Sequence, residues 1–94
     1  MNQKLIDFAA VMTQMFLFGL IFSYNSNFQE LEEIVKRTLK AIKVNQNDSK
    51  PEVLFLRSFL NSLALNFDAD FPELQEIVDR AMLKIPIAEA AKHG

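Results

Sequence analysis

The sequence predicts an all-α domain, an antiparallel four-helix bundle made of two tandem helical hairpins related by pseudo-twofold symmetry. Three observations carry this prediction. One segment occurs twice: Phe28–Arg37 and Phe71–Arg80 share F-x-E-L-x-E-I-V-x-R, seven identities in ten positions at an offset of 43. The match runs back through Phe16, Leu17 and Leu20 to Phe59, Leu60 and Leu63, and forward to Ile42 and Ile85, with 11 identities over 28 aligned positions. A repeated unit of one apolar helix and one charged helix is therefore used twice. The second observation is a set of matching helix-start signals. The third is apolar spacing of three and four residues, one face of a 3.6-residue period.

Helix 1 is expected from about Gln3 to Tyr24, with Leu5, Phe8, Met12, Met15, Phe16, Gly19 and Phe22 as its inward stripe. Val11, Leu17, Phe18, Leu20 and Ile21 then cover its other sides, and no polar side chain occurs from Met15 to Phe22. A helix apolar all round must be covered all round. Three partner helices of a small bundle do not surround it, so an interface is expected at Val11, Met15, Leu17, Phe18, Ile21 and Phe22. Gly19 costs roughly 1 kcal/mol of helix stability relative to Ala, and close approach of a neighbouring helix would explain it. Ser62 is its small counterpart in the second copy.

Helix 2 is expected over Phe28–Val44 and opens on Asn27-x-x-Glu30, a capping box in which each side chain bonds the other residue's amide. Leu31, Ile34, Val35, Leu39 and Ile42 form its buried stripe. Glu32, Glu33, Lys36, Arg37 and Lys40 form its solvated face. Helix 3, from Lys50 to Phe67, follows Ser49-x-x-Glu52, with Pro51 in the first turn, where a missing N–H costs little. Its stripe is Val53, Leu56, Phe59, Leu60, Leu63 and Phe67. Helix 4 runs from Phe71 to Ile85 behind Asp70-x-x-Glu73 and buries Leu74, Ile77, Val78, Ala81, Met82 and Ile85. Pro86 is expected to end it, because the residue before a proline is pushed out of the α region.

The short joints 25–27, 44–49 and 68–70 make consecutive helices expected antiparallel neighbours, the second being the longest and most polar. The chain divides into repeat 1 (3–44), a polar linker (45–49), repeat 2 (50–86) and a tail (87–94), within one domain of residues 1–94.

Composition narrows the function. Half of the residues are hydrophobic, nine of them Phe, which argues against disorder. The chain has no cysteine, so disulfides and thiolate metal sites are excluded, and a cytoplasmic location is expected. A net charge of −2 lacks the basic surplus that nucleic-acid binding needs, so no nucleic acid is expected as a partner. No membrane span is expected either. The run from Phe8 to Phe22 is shorter than the roughly 20 residues a span requires, and Thr13 and Gln14 interrupt it.

Catalytic chemistry finds little support. His93, the only histidine, sits in the tail, so nucleophilic triads are unavailable in the folded part. Glu30, Glu33, Glu73 and Glu76 hold equivalent positions, and di-iron bundles do use inward glutamates, but no Glu-x-x-His accompanies them. Capping explains Glu30 and Glu73. Glu33 and Glu76 stand four residues before Arg37 and Arg80, the favourable ion-pair orientation on a helix. No cofactor and no metal are expected.

The leading expectation is a non-enzymatic interaction module (an adaptor, inhibitor or regulatory subunit), forming a homodimer or binding another protein through helix 1, with a small apolar ligand as a further occupant. A small, acidic, helical chain also suits a toxin-neutralising or immunity protein that binds a basic partner. The 43-residue two-helix unit falls in the length range of HEAT-type repeats, and the segment Ile77–Met82 faintly resembles their second helix. That resemblance implies hairpins stacked side by side, although the diagnostic residues are absent and such arrays normally need three units. A carboxylate-metal enzyme is the least supported reading.

Overall fold

A computed structural model describes residues 1–93, with side chains described for residues 1–85. The protein is all-helical, with no strand among the described residues. Its four helices are α1 (Gln3–Tyr24), α2 (Phe28–Val44), α3 (Pro51–Phe67) and α4 (Phe71–His93). They pack as a bundle with a Cα radius of gyration of 12.8 Å, flattened to 16 Å along its shortest axis.

Most helix ends follow the local chemistry. The Asn27 carboxamide oxygen accepts from the Glu30 amide at 2.8 Å, and the Glu30 carboxylate accepts from the Asn27 amide at 3.2 Å. Asp70 and Glu73 repeat the exchange at 2.9 and 3.0 Å. Asn2 caps α1 by accepting from the Leu5 amide. At the other ends Asn25, Asn45 and Asp68 adopt left-handed backbone with φ near 50°. Asn and Asp tolerate that region, and the turn lets Ser26, Gln46 and Ala69 donate back to Ile21, Ala41 and Ala64.

Two ends differ from the sequence expectation. Ser49 does not cap α3. The N-cap is Lys50, which makes no side-chain cap bond, and the loop is instead held by Asp48, which accepts from the Lys50 amide at 3.0 Å. Pro86 does not end α4, which continues to His93. A proline removes one helical hydrogen bond without forbidding the turns beyond it. The residues that follow, Ala88, Glu89, Ala90, Ala91 and Lys92, are all strong helix formers. Gly94 and the His93 side chain lie outside the described residues.

Packing partners agree with the joints only in part. α2 packs on α3, as the 44–49 joint predicts, but α1 packs most extensively on α4, and the pairs α1–α2 and α3–α4 touch little. Contacts along α1 and α4 advance together. Met1 meets Glu73, Gln3 and Asp7 meet Arg80, and Ala10, Val11 and Gln14 share a hollow with Leu83 and Lys84. The small residues Ala9, Ala10 and Thr13 face inward on α1 and permit close helix approach.

The core is formed by Ile6, Leu17 and Leu20 of α1, Leu31, Ile34 and Val35 of α2, Val53, Leu56, Leu60 and Leu63 of α3, and Leu74, Ile77, Val78 and Ile85 of α4. Two hydroxyls enter it. Thr13 and Thr38 are fully buried and donate to the carbonyls of Ala9 and Ile34 at 2.8 and 2.7 Å. No buried side-chain polar atom lacks a partner among the described residues, as a stable interior requires.

The face of α1 that the sequence placed inward is largely the outer one. Phe8, Met15 and Phe22 are exposed, while Leu17 is fully buried and Leu20 nearly so. Leu17 is therefore a core residue rather than part of an interface. Leu17→Ala should cost about 2–5 kcal/mol in urea unfolding, because it leaves a cavity, whereas Met15→Ala should change stability by less than about 0.5 kcal/mol. Comparable losses at the two positions would contradict this assignment of faces.

Candidate interaction surface

The candidate surface follows from how much of α1 the other helices leave uncovered. From Phe8 to Gln29 the chain has no charged side chain. On the outer side of α1, Phe8 is 57% exposed, Val11 47%, Met15 69% and Phe22 69%. Phe18 and Ile21 are half-buried and pack against the core edge. Of the six residues expected at an interface, Val11, Met15 and Phe22 are thus strongly exposed, Phe18 and Ile21 lie at the margin, and Leu17 lies inside.

A groove of about 680 Å³ runs beside this face, between α1 and α3. Its α1 wall is Met15, Phe16, Gly19, Ser23 and Tyr24; its α3 wall is Phe55, Ser58, Phe59 and Ser62. The rings of Phe16 and Phe59 stack at 4.4 Å between centroids and 10° between planes. Phe8 meets Phe67 edge-on at 6.3 Å. Every lining side chain is neutral, so the groove offers apolar contact and a few hydroxyls but no ionic anchor.

Gly19 opens on this groove, and a Cβ built there would meet no atom within 4 Å. The expected close approach of a neighbouring helix does not occur within the chain. The glycine's cost to α1 is therefore not offset by intrachain packing.

The two arginines retained in the repeats serve as clamps. Arg80 donates to Glu76 at 2.9 Å and to Gln3 at 2.6 Å, and it also bonds Asp7. Arg37 does not pair directly with Glu33. It grips Asp48 through two bonds of 2.9 and 2.7 Å. Each arginine thus ties its own helix to the start of a helix in the other half of the chain, a role that sequence spacing within one helix could not reveal. Arg57 adds to the second clamp by donating to the Gln46 carbonyl and the Asn45 side chain.

The glutamates considered as metal ligands are engaged differently. Glu30 and Glu73 complete capping boxes, Glu73 also accepts from the Met1 ammonium at 2.6 Å, and Glu76 holds Arg80. No group of three or more His, Cys, Asp or Glu placed to hold a metal occurs among the described residues.

α1 has the length expected of it and extends beyond its apolar run on both sides. It spans 22 residues with a mean hydropathy of 2.0 over its most apolar window, a third of which is buried. By length and composition it is long enough to cross a membrane, a property that core helices and signal sequences share.

The clamps give stability a pH dependence. Asp48 is held below the usual carboxylate range, first by the Arg37 guanidinium and then by the Lys50 amide. Glu73 is lowered by the Met1 ammonium and then by the Asp70 amide. Glu73 in turn raises the Met1 ammonium above its ordinary value of 8.0. Carboxylates lowered on folding contribute stability above their unfolded pKa, and that contribution is lost as pH falls through the folded pKa. The ammonium contribution is complete below pH 8.0 and lost as pH rises through the raised value. Asp48→Asn should lower the melting temperature at neutral pH and flatten the acid side of the stability profile. An unchanged acid side in that variant would show that the Arg37 clamp adds nothing. Comparison with protein-family models, with curated proteins and with solved structures returned no match.

Proposed function

We propose that the protein is a non-enzymatic interaction module, an adaptor, inhibitor or regulatory subunit, that self-associates through its first helix. The observation that carries this reading is the uncharged outer face of α1, where Phe8, Val11, Met15 and Phe22 stay 47–69% exposed. Contiguous apolar surface of this kind marks a site of contact, since water is a poor neighbour for it. Gly19 supports the reading. The space beside it is open, so something outside the chain has room to approach the α1 backbone there.

The repeat supports a symmetric construction. Phe16 and Phe59 are equivalent residues, and they stack on each other. A residue touches its own counterpart only near a symmetry axis, so we read the two hairpins as related by a pseudo-twofold through this pair. On that reading α1 and α3 cross antiparallel, and each outer helix is clamped by its arginine to the start of the opposite hairpin. The positions identical between copies, Leu17 with Leu60 and Leu20 with Leu63, are core residues. Positions that differ between copies include Met15 with Ser58, which meet solvent, and Thr38 with Ala81, which are buried.

The groove beside Gly19 also suits a small apolar molecule, and the same experiment reads that alternative. Light scattering with native mass spectrometry at micromolar concentration should give about twice the chain mass of 10.8 kDa. A strictly monomeric species with nothing bound would end the self-association reading, and a monomer carrying an apolar adduct would favour the ligand. Gly19→Ala should raise the stability of the dilute monomer by about 0.5–1 kcal/mol and weaken association. A variant that gains stability and associates as before would remove the role given to the glycine.

A further inference from the structure

The geometry points to a specific mode of pairing, which rests on the self-association reading: α1 forms a knobs-into-holes seam with α1 of a second copy. The residues of its outer face, Phe8, Val11, Met15, Phe18 and Phe22, are spaced 3, 4, 3 and 4 apart. That is the a/d repeat of a helix built to meet another helix, and a flat surface or an extended peptide would not require it. The opposite side carries a second seam at the same spacing: Ile6, Ala10, Thr13, Leu17 and Leu20 are all buried in the chain's own core. α1 thus has two seams and uses one internally.

The second half of the chain supplies a built-in contrast. The α3 positions that correspond to Val11, Met15, Phe18 and Phe22 are Leu54, Ser58, Asn61 and Leu65. Ser58 and Asn61, at the centre of that row, are exposed to solvent. The same surface of the same structural unit is therefore polar at its middle in α3 and apolar throughout in α1. A surface with no occupant would have tolerated polar residues in both.

Charge selects a second copy and its direction. The seam's own side chains are all neutral, with Asp7, Arg80 and Lys84 beside it in the hollow that Val11 shares. Its only charged continuation is Lys4, four residues before Phe8. A parallel pair would set the two Lys4 side chains together, whereas an antiparallel pair separates them and opposes the helix dipoles. Antiparallel a-to-d layering then places Phe8 against Phe18 of the partner subunit, Val11 against Met15 of the partner subunit, and Phe22 against the aliphatic stem of Lys4 of the partner subunit. Gly19 flanks the seam and leaves room for the partner's backbone. The five side chains present roughly 500 Å² per copy, given the 150–250 Å² an aromatic side chain buries. The pair therefore buries on the order of 1,000 Å², the lower limit for a specific interface and suited to a reversible dimer.

The absence of cysteine makes the test clean. Val11→Cys and Met15→Cys are prepared separately and mixed under mild oxidation, with circular dichroism to check helix content. The mixture should yield at least ten-fold more covalent dimer than either variant alone, and Leu65→Cys should yield none above background. A wild-type dimer whose variants cross-link through Leu65→Cys or Phe55→Cys instead would overturn this seam while leaving self-association intact. Efficient cross-linking of Phe8→Cys alone would overturn the antiparallel direction. A monomeric wild type with no cross-link at any position would defeat both readings.

Discussion

A helix in a four-helix bundle touches two neighbours along its length, and this limits how much of its circumference the chain can cover. α2 respects the limit with a charged outer side, and α3 leaves Leu54, Phe55 and Leu65 exposed around a polar Ser58 and Asn61. α1 has no such polar break. It buries Ile6, Leu17 and Leu20 against its own bundle and leaves Phe8, Met15 and Phe22 in water. The exposed side is organised at helical spacing, which distinguishes it from the isolated apolar side chains that every surface carries. The function argued for this protein follows from that one imbalance.

The rest of the fold holds α1 in place and covers one side of it. α4 lies along its inner side and is pinned to its start by Arg80 on Asp7 and Gln3 and by Glu73 on the Met1 ammonium. α3 closes a second edge through the stacked Phe16 and Phe59 rings. The arginines and the cap carboxylates are modest contributors individually, since they sit where water competes. Their value lies in register: they fix where each outer helix begins relative to the helix it supports, and the apolar core then supplies most of the stability.

Much of this arrangement was legible in the residues. The limits of α1 and α2 and the start of α4 follow from capping side chains and from polar residues at left-handed turns, all local effects. The inward side of α2 and α4 was equally plain, because charge marked the outer side. α1 was misread because hydrophobicity cannot orient a helix that is apolar on every side. Two better signals were present. Ala9, Ala10 and Thr13 form a small-residue side suited to close packing, and Leu17 and Leu20 are repeated as Leu60 and Leu63, as core positions would be. Ser49 does not cap α3 because the loop is held another way, by Asp48 on the Lys50 amide and on Arg37, eleven residues away. The packing of α1 on α4 was not legible, because joint length constrains connection rather than contact.

The most direct measurement is the solvent accessibility of individual methyl groups, read from their relaxation by a soluble paramagnetic agent as protein concentration is raised. The account predicts that the Val11 and Met15 methyls are strongly relaxed in dilute solution and become shielded as copies associate. The Leu65 methyls should stay accessible, and the Leu17 methyls shielded, throughout. Val11 and Met15 methyls that remain as accessible at high concentration as at low would contradict it.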